Sequence, residues 1–317
     1  MSASRPLPRI VFMGTPAFAV PSLRALVQAS YPVVGVVTAT DKYGGRGGKQ
    51  LLQSPVKLAA LELGIPVLQP KNLKADDFLR ELRSLNADLQ VVVAFRMLPT
   101  VVWKMPRLGT FNLHGSLLPK YRGAAPINWA IINGETQTGA TTFFIQEAID
   151  TGDILLQHRM PIGPDDTAGD VHDRMMREGA GLVRDTVRLI ESGSYTLQRQ
   201  DDSTATPAPK LSREGSRIDW NRPVREVHNF VRGLSPWPAA WTTLDGQQLK
   251  FIRSRISPSE GGQEPGTVTV QEDGLRVACS TGSLEVLELQ LAGRRRMSAA
   301  DFVRGGQLDS GTVLGQG

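Results

Sequence analysis

At 317 residues, 40% apolar and 21% charged, the chain is long enough for roughly two domains and too apolar for general disorder. Its 36 Lys and Arg against 31 Asp and Glu leave a net charge of +5, compatible with an anionic partner such as nucleic acid but too dilute to name one. The single cysteine, Cys279, excludes an internal disulfide and any multi-cysteine metal site, and no apolar run approaches the ~20 residues of a membrane helix. The stretch from Met1 to Arg9 has two Arg and two Pro with no isolated apolar core, and no long Arg-rich leader. The expectation is a soluble protein of a bacterial cytoplasm, without export.

The first 200 residues alternate short apolar runs with segments of helical period. Arg9 to Met13, Val33 to Thr38, Asp88 to Phe95 and Ala140 to Ile145 are β-branched or aromatic and nearly continuously apolar, as strands covered on both faces are. Pro55 to Leu63 and Ala75 to Leu85 carry apolar residues three and four apart, as surface helices do. A longer helix fits Thr167 to Ser192, opening on Thr167 with Asp170 three later and closing at Ser192-Gly193. The alternation predicts an α/β, doubly wound domain with a mostly parallel sheet over residues 1–195. Residues 196–209 are polar, with Pro207 and Pro209, and read as a linker. Residues 210–317 begin with a helix at Val224 to Leu234. Short alternating runs follow at Gln248 to Arg253, Thr267 to Val270, Leu275 to Cys279 and Ser283 to Leu289, predicting a small, OB-like β-barrel.

The turn Met13-Gly-Thr-Pro-Ala17 has one glycine where a dinucleotide fingerprint needs three. There is no phosphate-binding GxxxxGK[ST], no GxSxG and no HExxH, and the four histidines are not spaced as a metal cluster. Hydride transfer, phosphoryl transfer and zinc hydrolysis lose their support. What remains is Gly109 to Pro126. Asn112 and His114 alternate with Phe111 and Leu113, so in an extended segment both polar side chains leave the same face. An amide and an imidazole at the carboxyl end of a strand stand where open α/β sheets bind ligands, although a lone histidine is also often a satisfied core residue. Asp150, in Ile149-Asp-Thr-Gly-Asp153, reads by itself as an ordinary turn residue before Gly152 rather than as a catalytic one. The loop Asp41 to Lys49, Asp-Lys-Tyr-Gly-Gly-Arg-Gly-Gly-Lys, has four glycines and cannot hold one rigid shape alone; composition leaves it as a solvated loop or a contact.

Several of these segments together resemble a known family. Phe12-Met-Gly-Thr-Pro-x-Phe-Ala-Val-Pro21, Asn112-x-His114, Ser116-Leu-Leu-Pro-Lys-Tyr-Arg-Gly123 and Asp150-Thr-Gly-Asp153 are similar to the methionyl-tRNA formyltransferases, as are Lys210, Ile218-Asp-Trp220, Leu234-Ser-Pro-Trp-Pro238 and Gly293-Arg-Arg-Arg-Met-Ser298. The Ser116–Gly123 segment alone marks the broader group that uses 10-formyltetrahydrofolate.

The resemblance implies transfer of a formyl group from 10-formyltetrahydrofolate, as co-substrate, to the amine of methionyl initiator tRNA. It implies no metal, no membrane and a monomer. It places the catalytic roles on Asn112, His114 and Asp150. Folate contacts fall on Ser116, Leu117, Leu118 and Pro119 and on Phe95, Met97 and Leu98, beside an Arg96 where many relatives have a small or apolar residue. The tRNA contacts fall on Arg46, supported by Lys42 and Lys49, and on Lys210, Arg294, Arg295 and Arg296, with Arg253 and Arg255 as further phosphate candidates. Formylation of glycinamide ribonucleotide or of a sugar amine is the rival activity, and a non-catalytic RNA-binding relative the rival without chemistry.

Overall fold

The computed structural model describes residues 6–44, 47–257, 262–272, 274–306 and 308–315. They form two compact units that interleave along the chain. The first is drawn from the described residues of 1–122, 139–159 and 173–207, the second from those of 123–138, 160–172 and 208–317.

In chain order come β1 (Ile10–Gly14), α1 (Val20–Gln28), β2 (Val33–Val37), a hairpin of β3 (Lys42–Gly44) and β4 (Gln50–Leu52), and α2 (Pro55–Glu62). Then follow β5 (Val67–Leu68), α3 (Asp76–Ser84), β6 (Leu89–Val93), α4 (Thr100–Trp103) and β7 (Thr110–His114). The short β8 (Arg122–Gly123) and α5 (Pro126–Ile132) lead to β9 (Gln137–Phe144), β10 (Ile154–Pro161), α6 (Ala168–Ser192) and β11 (Pro207–Ala208), which pairs with β8.

The first unit is built on a sheet of order β10-β9-β7-β6-β1-β2-β5. β1 pairs in parallel with both β2 and β6, β6 with β7, and β2 with β5. β9 runs antiparallel to β7. β1 and β6 are buried along their whole length, which is why their sequences lack the alternation of a half-exposed strand. Local signals set the helix ends. Ser54 caps α2 by accepting from the Lys57 N–H at 3.0 Å, with Pro55 in the first turn. At α6 the expected capping box is in place: the Asp170 N–H donates to Thr167 Oγ1 at 3.1 Å and the Thr167 N–H to Asp170 Oδ2 at 3.0 Å.

Two segments are more ordered than composition suggests. The glycine-rich loop has a paired base, Lys42 opposite Leu52 and Tyr43 opposite Leu51. Residues 196–209, read as a linker, are tied into place through their backbone: Gln198 and Ile154 exchange both N–H···O bonds, and the Arg122 N–H donates to the Thr206 carbonyl at 2.9 Å.

The second unit contains α7 (Val224–Leu234), then β12 (Ala240–Leu244), β13 (Gln247–Ser257), β14 (Val268–Gln271), β15 (Gly274–Ala278), β16 (Ser283–Leu291), β17 (Met297–Ser298) and α8 (Ala299–Arg304). The sheet order is β12-β13-β16-β15-β14, with β17 on β16, and each pair of neighbours runs antiparallel. β12, which the sequence pattern did not reveal, alternates buried and half-buried residues. The tail curls the sheet: the Val268 N–H donates to Thr312 O, the Leu314 N–H to Gly266 O and the Gly315 N–H to Thr243 O, so residues 312–315 reach both edge strands. Trp220, Phe251, Val231, Val277, Leu289 and Phe302 fill the interior. α5 packs on α7 in this unit, where a Cβ on Gly233 would meet Ile132 Cγ1 at 2.6 Å.

Candidate active site

β1, β6 and β7 are parallel neighbours, so the segments leaving them, Gly14–Pro16, Ala94–Pro99 and Gly115–Pro119, emerge at one edge of the sheet. The alternation along β7 separates two faces. Leu113 lies under α6, so close that a Cβ on Gly179 would stand 3.1 Å from Leu113 Cδ2. Asn112 and His114 therefore share the opposite face, as expected. Asn112 is half-buried, and among the described residues no partner takes up its side-chain amide.

His114 is buried, 5% exposed, and its ring meets Phe143 edge-on with centroids 6.4 Å apart. Its Nε2 lies 2.8 Å from the Tyr121 carbonyl oxygen. A carbonyl only accepts, so the hydrogen-bond network assigns a proton to Nε2. Nδ1 then faces Oδ2 of Asp150 at 3.6 Å. The carbonyl on one nitrogen and the carboxylate facing the other fix the orientation of the ring.

Asp150 lies in the turn between β9 and β10 with φ of 55°, a left-handed conformation that Asp tolerates better than most side chains. The turn presses on the end of β9: a Cβ on Gly152 would fall 1.6 Å from the Phe144 carbonyl oxygen, so only glycine fits. The loop after β7 is equally constrained. Thr141 Oγ1 donates to Ser116 O at 2.6 Å and accepts from the Leu118 N–H at 3.1 Å and Gln157 Nε2 at 3.0 Å. Ser116 Oγ donates to Lys120 O at 2.6 Å, and the Leu118–Pro119 bond is cis.

The expected folate residues divide by exposure. Phe95, Leu117 and Pro119 are half-buried and Met97 is 72% exposed at the open edge, whereas Leu98, Ser116 and Leu118 are buried in packing or hydrogen bonds and offer mainly backbone to a ligand. Ala94, before them, has φ of 49°, a costly conformation for alanine and one that concentrates at functional sites. Arg96 turns aside: its guanidinium donates to Lys71 O at 3.0 Å and Pro70 O at 2.5 Å and lies over Phe95.

Lys42, Lys49 and Lys210 are exposed, and Arg46 falls outside the described residues. Asp41 anchors the base of the hairpin, bonded to Lys57 at 2.5 Å and to Gln69 at 2.8 Å, and these bonds hold its carboxyl below the usual range. Arg294 and Arg295 are exposed on the turn after β16. Arg296 is paired with Glu288, Arg255 with Glu285 and Arg253 with Asp170, so a phosphate meeting those three competes with a carboxylate already in place. Sequence reasoning missed the Tyr121 carbonyl, seven residues from His114, and Thr141, Gln157 and Gln200, whose partners lie farther along the chain. No group of three His, Cys, Asp or Glu placed to hold a metal ion occurs among the described residues, nor any helix long and apolar enough to cross a membrane.

Residues 8–186 match the model of the formyl transferase family and residues 210–307 that of the formyl transferase C-terminal domain. The methionyl-tRNA formyltransferase of Parabacteroides distasonis is 53% identical over 308 residues, covering 94% of this chain and 95% of the relative. The chain belongs to the methionyl-tRNA formyltransferase family. That of Geobacter metallireducens is 46% identical over 96% of this chain and 98% of its own. Among solved structures, a sugar 3N-formyl transferase determined in the presence of dTDP and 5-N-formyl-tetrahydrofolate superposes with a TM-score of 0.66 at 20% identity, over 92% of this chain and all of that one. Glycinamide ribonucleotide transformylase 1 of Symbiobacterium toebii matches 63% of this chain and all of its own, with a TM-score of 0.52 at 19% identity. At such identities these two share the fold with the methionyl-tRNA formyltransferase family, and the full-length relatives carry the closer kinship.

Proposed function

We propose that the protein transfers the formyl group of 10-formyltetrahydrofolate to the α-amine of methionyl initiator tRNA, giving formylmethionyl-tRNA for translation initiation. One observation supports the reading: His114 and Asp150 face each other at 3.6 Å, with Asn112 on the same face of β7, in a chain 53% identical over 94% of its length to a methionyl-tRNA formyltransferase.

The residue types suit the task. An α-amine with a pKa near 7.7 or below is neutral roughly a fifth of the time or more at pH 7, so a strong base is unnecessary. The harder requirement is the negative charge on the formyl oxygen as the amine adds. In this reading Asn112, whose amide has no described protein partner, and His114 in its doubly protonated form, through the Nδ1–H that the Tyr121 carbonyl leaves over, donate to that oxygen, each worth about 3 kcal/mol. Asp150 stabilises the charged imidazole and takes part in moving the amine's proton toward the leaving nitrogen. The donors in place suit the reaction without calling on a metal. Ser116 to Pro119 and Phe95 to Leu98 would hold the folate, largely through backbone in the case of Ser116, Leu118 and Leu98. Lys42, Arg46 and Lys49 would meet the tRNA, with Lys210 and Arg294 to Arg296 extending the contact. On this view residues 1–195 supply the chemistry and 210–317 help hold the tRNA, in a cytoplasmic monomer.

An acceptor comparison tests this. With 10-formyltetrahydrofolate as donor, charged initiator tRNA should be formylated while uncharged tRNA and small amines are not. Preferential formylation of glycinamide ribonucleotide would overturn the reading.

A further inference from the structure

The His114–Asp150 pair is braced by a segment that carries no recognisable motif. Gln200 is 6% exposed, and its side-chain amide donates twice, to the Asp150 carbonyl at 2.9 Å and the Gly152 carbonyl at 2.7 Å. Both acceptors belong to the turn that presents the Asp150 carboxylate in its left-handed conformation. The other end of the amide is held as firmly. Arg122 Nε and Nη2 donate to Gln200 Oε1 at 3.1 and 2.7 Å, and the same guanidinium reaches Asp202 Oδ1 at 2.7 Å. Two carbonyls on one side and a cation on the other leave one orientation of the amide compatible with the network.

Arg122 also follows Tyr121, whose carbonyl accepts from His114 Nε2. The Tyr121 N–H donates to Thr206 Oγ1 and the Arg122 N–H to Thr206 O, each at 2.9 Å. Residues 200–206 thus grip both halves of the pair, Tyr121 behind the imidazole and the Asp150 turn beside the carboxylate. Removing that grip frees the turn to relax out of its strained conformation, which moves the carboxylate away from Nδ1.

We propose that Gln200, oriented by Arg122, is a positioning residue for formyl transfer, acting through Asp150. The proposal rests on the function proposed above. Its test is a double-mutant cycle on the full-length protein with charged initiator tRNA and 10-formyltetrahydrofolate. Gln200→Leu should lower kcat about 10- to 100-fold, with KM for both substrates little changed, since a displacement near 1 Å is enough to cost that much. Gln200→Glu keeps the shape but removes the two donors, and should lose a similar factor. Asp150→Asn should lose about 10²- to 10⁴-fold. If Gln200 acts through Asp150, adding Gln200→Leu to Asp150→Asn costs less than about a further twofold. Multiplicative losses in the double variant, full activity in Gln200→Glu, or failure of both Gln200 variants to fold would each overturn the positioning role. Near-normal turnover of Asp150→Asn alone would instead sink the catalytic assignment of Asp150, a separable outcome.

Discussion

At His114 the two ring nitrogens have different partners, and the difference sets what the residue can do. The Tyr121 carbonyl fixes a proton on Nε2 and the Asp150 carboxylate stands 3.6 Å from Nδ1, so the ring is oriented before any substrate arrives. Asn112, two residues back on the same face, keeps its amide free of described partners, as a group reserved for a ligand should. Replacing it should be felt at the transition state. Asn112→Ala is expected to lower kcat by about 10²- to 10³-fold, with KM for tRNA little affected; a KM effect without a kcat effect would assign it to ground-state binding. The residue types and their alternation were legible in the sequence, because the period of two along a strand is local. The Asp150–His114 pairing was not readable from the spacing: it joins residues 36 apart, and a short Asp-Thr-Gly run has the same composition as any tight turn.

Among the elements, the hairpin of β3 and β4 shows what local composition conceals. Four glycines between Asp41 and Lys49 argue against a fixed shape, yet cross-strand pairing from Lys42 to Gly44 and the Asp41 anchor on Lys57 and Gln69 order its base. That base carries Tyr43, Leu51 and Leu52 well exposed, with Lys42 and Lys49 beside them, a surface suited to a partner larger than a folate. Arg46→Ala should therefore reduce turnover with charged tRNA several-fold while leaving folate binding, measured directly by titration, unchanged. Equal loss of both would remove the hairpin from tRNA recognition. Residues 196–209 show the reverse error of composition. Polarity and prolines suggested a linker, but polar side chains here satisfy buried backbone groups, a use that composition cannot distinguish from solvation.

For the whole molecule, the lone cysteine offers a measurement. Cys279 is 2% exposed within the core of the second unit, and burial pushes its thiol from about 9 up to about 12. At pH 8 the folded protein should present about 10⁻⁴ of it as thiolate, so alkylation should proceed at the rate of opening of the second unit, and rapidly once the chain is unfolded. Immediate labelling of the native protein would contradict the packing. The sign of the linkage follows: this group's contribution to stability is complete below about pH 9, where both states keep the proton, and is lost as pH climbs toward 12, because the unfolded chain ionises first.

The sequence alone determined the α/β alternation, the run from Val224 to Leu234 as a helix, the strand-rich last hundred residues and the motifs that mark the family, because each is written in local periodicity or in contiguous residues. Tertiary structure alone decided three things: that α5 packs with α7, that β9 turns antiparallel beside β7, and that Gln200 and Arg122 reach back to the Asp150 turn. Each is a pairing between distant positions, chosen by which buried polar and apolar groups can satisfy one another once the chain has closed its loops, and no local pattern records that choice.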